Sequence, residues 1–179
     1  MKSVLISIHP KWSELIASGK KTVEVRKTRP KIDVPFKCYI YETKGKTDLP
    51  TFIDEDGHEI YQGRGQVIGE FVCNTIFDLH EAALFAGMDE INKSVIEEYS
   101  CVDIDELLHY KGNKNKIYGW SISELVIYDK PKELSEFVIK GCKGCRDKDT
   151  YHCKFHCRME RRIKRPPQSW CYVEKGGAE

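Results

Sequence analysis

The sequence predicts an α+β fold, a compact barrel of five to six short strands with flanking helices and a small zinc-binding segment. Runs of alternating apolar and polar residues mark the strands, and two stretches with helical spacing lie between them. Strands and helices do not repeat as βαβ units, which favours a compact α+β barrel. Two close pairs of cysteines near the end of the chain predict the zinc segment.

The composition limits the class of protein. The chain has 179 residues, of which 32% are charged, and a formal net charge of +1. This length suits one domain with a small appendage. No apolar run approaches the roughly 20 residues that span a bilayer, and the start lacks a secretory signal pattern. We therefore expect a cytoplasmic protein without membrane association, whose oligomeric state the sequence leaves open.

Charge is unevenly distributed along the chain. Residues 81–110 carry eight acidic side chains against one lysine, whereas residues 140–165 carry ten Lys and Arg side chains against three acidic ones. A basic segment of this density favours a polyanion such as RNA as a partner. The alternative is a solvated basic surface without a partner.

The first 26 residues predict a strand, a short helix and a second strand. Residues 4–8 alternate as a mostly buried strand. Pro10 suits the first turn of a helix, and Gly19 suits its end. Residues 22–26 alternate again and predict the second strand.

The remainder of the chain adds strands and two helices. Further strands are predicted at residues 36–43, at 67–76, at 117–128 with a bend at Gly119, and from beyond Pro167 to Val173. Helices are predicted at residues 89–99 and 103–109. A loop or hairpin is expected at residues 44–64 and a turn at 130–134. We divide the chain into a barrel, residues 1–139 together with 166–176, and a cysteine-rich basic segment, residues 140–165.

The cysteine-rich segment predicts a metal site. Four cysteines have the spacing C-x2-C-x7-C-x3-C, and they are Cys142, Cys145, Cys153 and Cys157. Two such pairs supply the four ligands of a tetrahedral structural Zn2+ ion, with no open position for water. His152 or His156 is an alternative ligand, and the role of Cys171 is open. The competing interpretation is a reactive thiol pair formed by the first two cysteines.

Residues 19–26 concentrate charged side chains between the helix and the second strand. Lys21 can bind a phosphate, or act as a base if burial lowers its pKa. Strict alternation would separate Lys21 from Glu24, so Lys21 is expected in the turn before the strand becomes regular. Arg26 presents a donor fork, and Glu24 can accept from a cytosine-type amino group or serve as a general base. The alternatives are an exposed lysine and a weak Glu24–Arg26 surface pair.

Aromatic and polar side chains near these charges extend the candidate site. Aromatic rings beside cations suit the stacking of a single-stranded base. For Trp12, a place in the core is the alternative, because two apolar residues share its helix face. The further candidate ligand-binding residues are Ser7, His9, Trp12, Trp120, Gln168, Ser169 and Trp170.

Several of these motifs resemble a known family. The pattern G-x-K-x-x-E-x-R at residues 19–26, after a strand and a helix, and the strand VIGEF at 67–71 resemble the ASCH family of the PUA-like superfamily. GWSI at 119–122, YDKP at 128–131 and PPQSW at 166–170 resemble phage and prophage members of that family. The resemblance covers the chain apart from residues 140–165.

The resemblance implies a PUA-like β-barrel with a cleft beside the first helix and an association with RNA or modified nucleosides. Some members hydrolyse N4-acetylcytidine with a Lys, a Thr and a Glu, and others are described as ribonucleases. The family's Lys corresponds to Lys21, and Glu24 stands where its Thr is found.

We therefore hypothesise an RNA- or nucleoside-binding domain whose cationic cleft contains Lys21, Glu24 and Arg26. The alternative is a modified-nucleoside hydrolase or a ribonuclease, with Lys21 and Glu24 as catalytic residues. A further alternative is a protein-interaction module.

Overall fold

The computed structural model describes residues 2–45, 52–53, 59–60, 62–79, 90–140 and 160–175. The helices of these residues are α1 (Pro10–Ala17), α2 (Glu90–Ser100) and α3 (Ile104–Lys111), with a short 3₁₀ helix at Leu134–Glu136. The first six strands are β1 (Ser3–Ile8), β2 (Val23–Arg26), β3 (Phe36–Glu42), β4 (Phe52–Ile53), β5 (Glu59–Ile60) and β6 (Val67–Cys73). The others are β7 (Ile76–Asp78), β8 (Tyr118–Ser121), β9 (Ser123–Lys132), β10 (Phe137–Lys140), β11 (Glu160–Arg162) and β12 (Trp170–Lys175).

A seven-stranded sheet forms the centre of the molecule. Its strand order is β11-β10-β12-β1-β3-β6-β9. The pair β1–β3 is parallel, and the other neighbours in this sheet are antiparallel. All six residues of β1 are buried, as expected for a strand with neighbours on both sides and packing on both faces. β1 ends at Ile8, directly before α1, and so the sheet fixes where that helix begins.

A second sheet of three strands, in the order β2-β8-β7, carries the charged run of the sequence. Glu24 lies opposite Trp120 and Arg26 lies opposite Tyr118 in the β2–β8 pair. Gly119 is needed in this pair, because a Cβ atom there would lie 2.9 Å from Cγ1 of Val23. The remaining strands, β4 and β5, form a separate antiparallel pair.

The alternation of side chains along β1 separates the core into layers. Val4, Ile6 and Ile8 belong to one cluster, which includes the fully buried Trp120. Leu5 points to the other face of the sheet, where a second cluster contains buried residues from β3, β6 and β12. A third cluster joins β2 to α3 and includes Val25, Val102, Leu107 and Ile117.

The expectation of an α+β fold is confirmed, but the expectation of a closed barrel of five to six strands is wrong. Closure would require the two edge strands of the sheet to pair with each other. In the described residues β11 pairs with β10, β9 pairs with β6, and the seven-stranded sheet stays open. The strand count differs because residues 67–76 and 117–128 each divide between two strands, and because β10 and β11 were not predicted.

Three local predictions need correction. Residues 117–128 are not one strand bent at Gly119, because β8 ends at Ser121 in the small sheet and β9 begins at Ser123 in the large one. Residues 67–76 divide in the same way into β6 and the start of β7. Residues 130–134 are not a turn throughout, since β9 continues to Lys132.

The other predicted elements agree closely with the structure. β1, α1, β2 and β3 lie within one or two residues of their expected bounds, and so do α2 and α3. The predicted hairpin within residues 44–64 contains the β4–β5 pair. No helix of the described residues is long and apolar enough to cross a membrane.

Candidate functional site

A cleft of about 340 Å³ opens where the end of β1, the start of α1, β2 and α3 meet. Six of the residues predicted from the sequence line it together, and they are Ser7, His9, Trp12, Lys21, Glu24 and Arg26. They come from β1, α1, β2, the residue between β1 and α1, and the turn before β2, so the first 26 residues build two thirds of the lining.

Lys21 lies in the turn before β2, as its proximity to Glu24 requires. The turn is possible because Gly19 adopts a φ of +76°, and the Lys21 amide N–H donates to the carbonyl oxygen of Leu15 at 2.9 Å. The side chain is only 2% exposed. Burial lowers the pKa of Lys21 below its ordinary value, and the Glu24 carboxylate opposes that shift.

The carboxyl end of α2 holds this turn in place. Lys21 Nζ donates to the carbonyl oxygen of Ser100 at 2.5 Å, and the Thr22 amide N–H donates to that of Tyr99 at 3.0 Å. The last carbonyl groups of a helix lack intrahelical donors and carry partial negative charge. The end of α2 is therefore a fitting position for an ammonium group.

Glu24 connects the two cations of the cleft. Its Oε1 atom lies 3.0 Å from Arg26 Nη2, and its Oε2 atom lies 3.6 Å from Lys21 Nζ. The second separation is an ion pair that is too long for a hydrogen bond. Arg26 Nη2 also donates to the carbonyl oxygen of Ser7 at 2.6 Å. This ion-pair network is buried, not the surface pair of the alternative interpretation, because Glu24 is 5% exposed.

Two polar atoms at the centre of this network have no hydrogen-bond partner. Glu24 Oε2 is a buried acceptor and Arg26 Nε a buried donor, and neither is satisfied by the residues that the structure describes. Buried polar groups without partners are costly and uncommon in native proteins. An acceptor and a donor within the lining of one cleft suit a ligand that presents a donor and an acceptor of its own.

Aromatic rings contribute to the walls of the cleft. Trp12 lies on α1, and its ring centroid is 5.2 Å from Lys21 Nζ and 4.4 Å from Lys11 Nζ. Tyr110 lies on α3, and its ring centroid is 4.6 Å from Lys27 Nζ. Both rings line the cleft, and aromatic faces near cations are common where proteins stack nucleic-acid bases.

Four residues predicted as ligand contacts do not line the cleft. Trp120 is fully buried, with its ring 5.8 Å from Phe36 and 5.9 Å from Trp170 between centroids. Trp170 is half-buried and donates from Nε1 to Thr28 Oγ1 at 3.0 Å. Gln168 is exposed and Ser169 is half-buried. The Ser169 carbonyl oxygen accepts from the Ser7 amide at 2.9 Å, so the segment before β12 borders the cleft without lining it.

The wall of the cleft that α3 provides was not predicted from the sequence. This wall consists of Val102, just before the helix, and of Glu106, Leu107 and Tyr110. The last three share one helix face by their spacing. Asp103 caps the helix by accepting from the amide of Asp105, as the capped start predicted. The helix could be predicted from the sequence, but its packing against β2 could not.

The predicted zinc ligands lie outside the described residues, as do His152 and His156. In the part of the chain that the structure describes, no group of three or more His, Cys, Asp or Glu side chains could hold a metal ion. Cys171 is a free, half-buried thiol on β12, and burial raises its pKa to about 11.

Comparison with known proteins identifies a family and a fold. The ASCH domain family model matches residues 6–133. A crystal structure of ASCH from Zymomonas mobilis has 18% identity and a TM-score of 0.56, and the alignment covers 97% of this chain and 88% of that one. A Ser-to-Ala variant of the Zymomonas mobilis protein aligns with 17% identity and a TM-score of 0.56, over 97% and 89% of the two chains. Its Tyr-to-Phe variant aligns with 17% identity and a TM-score of 0.55, over 98% and 92%.

At these low sequence identities, the similarity to the solved structures is evidence for the fold only. No curated protein matches the sequence.

Proposed function

Because the chain belongs to the ASCH domain family, we propose that its cleft binds a nucleobase, presented by RNA or by a modified nucleoside. ASCH domains are generally associated with RNA binding. The observation that carries the proposal is the buried Oε2 atom of Glu24, which accepts no hydrogen bond from the described residues, beside the Nε atom of Arg26, which donates none. A base edge with an amino group next to an acceptor complements this pair.

Cytosine fits the donor and acceptor pattern. Its N4 amino group would donate to Glu24, and its neighbouring acceptors would face Arg26. Trp12 and Tyr110 offer rings for stacking. A phosphate group suits the floor less well, because Lys21 and Arg26 are already paired with Glu24 and with backbone carbonyls.

The proposal predicts a change of base preference in Glu24→Gln. The glutamine oxygen would keep the contact with Arg26, so the NH2 group would replace the acceptor and face the amino group of cytosine. We expect wild type to prefer cytidine over uridine, and the variant to bind cytidine about 5- to 150-fold more weakly, corresponding to 1–3 kcal/mol, and to favour uridine. Isothermal titration calorimetry with the two nucleosides measures this.

Glu14→Gln is the matched control, since it makes the same chemical change on α1 outside the lining of the cleft. Unchanged cytidine binding by Glu24→Gln would contradict the proposal. So would the absence of nucleoside binding by the wild-type protein at millimolar concentration.

Hydrolysis of a modified nucleoside is the second candidate function, and the buried position of Lys21 favours it. A lowered pKa increases the fraction of neutral Lys21, which can take a proton from water. In an N4-acetylcytidine-type reaction, that water would add to the acetyl carbonyl carbon, and the C–N bond would break. The proton would pass to the leaving amino group, and the products would be acetate and cytidine. Glu24 would accept a hydrogen bond from the N4 amino group of the nucleoside. Its negative charge would also stabilise the protonated form of Lys21.

Acetate release from N4-acetylcytidine tests this candidate. We expect turnover by the wild-type protein and loss of at least about 100-fold in Lys21→Met, the range that a general acid–base group contributes. Lys20→Met, at the exposed neighbouring position, should retain full activity. Turnover that persists in Lys21→Met would remove Lys21 from the mechanism, and labelled RNA in the same assay tests ribonuclease activity.

Other features predicted from the sequence are part of the proposal. We propose a structural Zn2+ held by Cys142, Cys145, Cys153 and Cys157, because four thiolates in two short-spaced pairs fit its tetrahedral preference. The division at residues 140–165, the prophage-type membership and the cytoplasmic location rest on sequence patterns and stay predictions. A protein-interaction role is the outcome that remains if neither nucleosides nor RNA bind.

A further inference from the structure

Two connecting segments lie side by side at one border of the cleft. The first links β2 to β3 and the second links β11 to β12. Trp170 Nε1 donates to Thr28 Oγ1 at 3.0 Å, and the Lys31 amide donates to the Tyr172 hydroxyl at 2.6 Å. Ser7 Oγ donates to the carbonyl oxygen of Pro167 at 2.7 Å, which ties the second segment to the cleft lining.

The two segments carry five basic residues, which we call the basic ledge: Lys27, Arg29, Lys31, Lys164 and Arg165. Four of them are exposed and Lys27 is half-buried. None forms an ion pair with a carboxylate of the described residues. Lys164 and Arg165 precede Pro167 by only two or three residues, which is at most about 11 Å of extended chain.

The first turn of α3, which forms another part of the cleft wall, is acidic. Glu106 lines the cleft from α3, and Asp103 and Asp105 lie at the start of the same helix. A chain of phosphates is repelled from this acidic first turn and attracted to the basic ledge. The cations in the cleft floor are already paired, whereas the ledge offers exposed basic groups for phosphates beside the cleft.

We infer that the basic ledge binds the backbone of single-stranded RNA while one base of that strand occupies the cleft. The inference rests on the proposed nucleobase site and adds the path of the chain to it. The strand runs across the two connecting segments and away from the acidic first turn of α3. A single strand is required, because an unstacked base can enter a pocket whereas a paired base cannot.

The salt dependence of binding tests the ledge. The ligand is a single-stranded RNA of about ten nucleotides with one cytosine, a length within the usual footprint of single-strand sites. Each phosphate contact in a single strand contributes about 0.7 to the slope of log affinity against log salt. Arg29→Ala and Lys164→Ala should each lower the slope by about 0.7. The double variant should bind about 25-fold more weakly than wild type at about 0.1 M salt, with affinities converging near 1 M.

Lys130→Ala is the matched control for these variants. Lys130 is exposed and lies on β9, which β3 and β6 separate from β1, and its removal should leave the slope unchanged. Cytidine binding should be unaffected in the ledge variants, because they leave the cleft lining intact.

The outcomes separate this inference from the proposed function. If cytidine binds through Glu24 but the ledge variants keep the wild-type salt slope for RNA, the ledge inference is overturned and the nucleobase site stands. If RNA binding depends on the ledge but not on Glu24, the base does not enter the cleft and both proposals fail. Equal binding of poly-glutamate with the same dependence on the ledge would replace RNA by an acidic protein partner and overturn the inference.

Discussion

Two opposing effects act on the pKa of the Lys21 ammonium group. Desolvation disfavours its charged form, whereas Glu24 and the carbonyl end of α2 favour it. Desolvation is the larger effect, so the pKa of Lys21 is lowered. A lysine in this situation can change its protonation state when a ligand excludes the remaining water from the cleft.

The lowered pKa of Lys21 predicts a pH-dependent contribution to stability. The unfolded chain keeps the ordinary lysine pKa, so between the two values it binds more protons than the folded protein. The free energy of unfolding of wild type, relative to Lys21→Met, should therefore rise as the pH increases through this window. Urea denaturation at a series of alkaline pH values measures the difference, and Lys20→Met controls for loss of a lysine from the exposed part of the turn. A difference that falls with pH would contradict the lowered pKa.

At the scale of elements, the path from β8 to β9 shows what local patterns can predict. Residues 117–128 are rich in apolar side chains, and the pattern correctly indicates extended chain. It does not reveal that Ile122 is the point where the chain leaves one sheet for the other. The Ile122 amide donates to the Thr22 carbonyl oxygen at 2.9 Å, a contact from a segment 100 residues earlier. Hydrophobic alternation reports burial, and it contains no information about the partner strand.

The same limit applies to α3 and the cleft. The cap at Asp103 is a local signal, and it was sufficient to predict the helix. Tyr110 reaches the lining of the cleft because α3 packs on Val25, and no spacing in the sequence encodes that packing. The structure of the first 26 residues was predictable because the strand, the helix and the turn follow one another directly. The motif G-x-K-x-x-E-x-R then places Lys21, Glu24 and Arg26 on this short unit.

The cysteine-rich segment permits a prediction for one element of the chain. Elemental analysis of the purified protein should find about one zinc ion per chain. Cys142→Ser or Cys153→Ser should remove most of it and lower the melting temperature, because binding of structural zinc contributes folding free energy. Cys171→Ser, which lies outside the spacing, should retain the metal.

Two results would change this interpretation. Zinc well below stoichiometry in the wild-type protein would contradict the metal site and favour a thiol role for the segment. Zinc that is retained in Cys157→Ser would indicate that His152 or His156 completes the site.

At the scale of the whole molecule, the open sheet explains why the strand count was underestimated. The sequence suggested five to six strands, and a sheet of that size closes naturally into a small barrel. β10 and β11 lie beyond β12 in the sheet order, although β10 precedes β12 in the sequence. β10 and β11 come earlier in the chain than β12, and β12 then inserts between β10 and β1. Local sequence patterns do not show such an insertion.

That order also determines when the molecule can be completed during synthesis. β1 is made first, yet its antiparallel neighbour β12 comes from residues 170–175, and Ser3 lies opposite Val173. Until those residues leave the ribosome, one edge of the apolar strand β1 stays open to other extended segments, a known route to aggregation. Ser7, which accepts from Arg26, also receives its contacts from Pro167 and Ser169 at that late stage. We therefore expect the nascent chain to acquire a fully anchored cleft only at the last step of its folding.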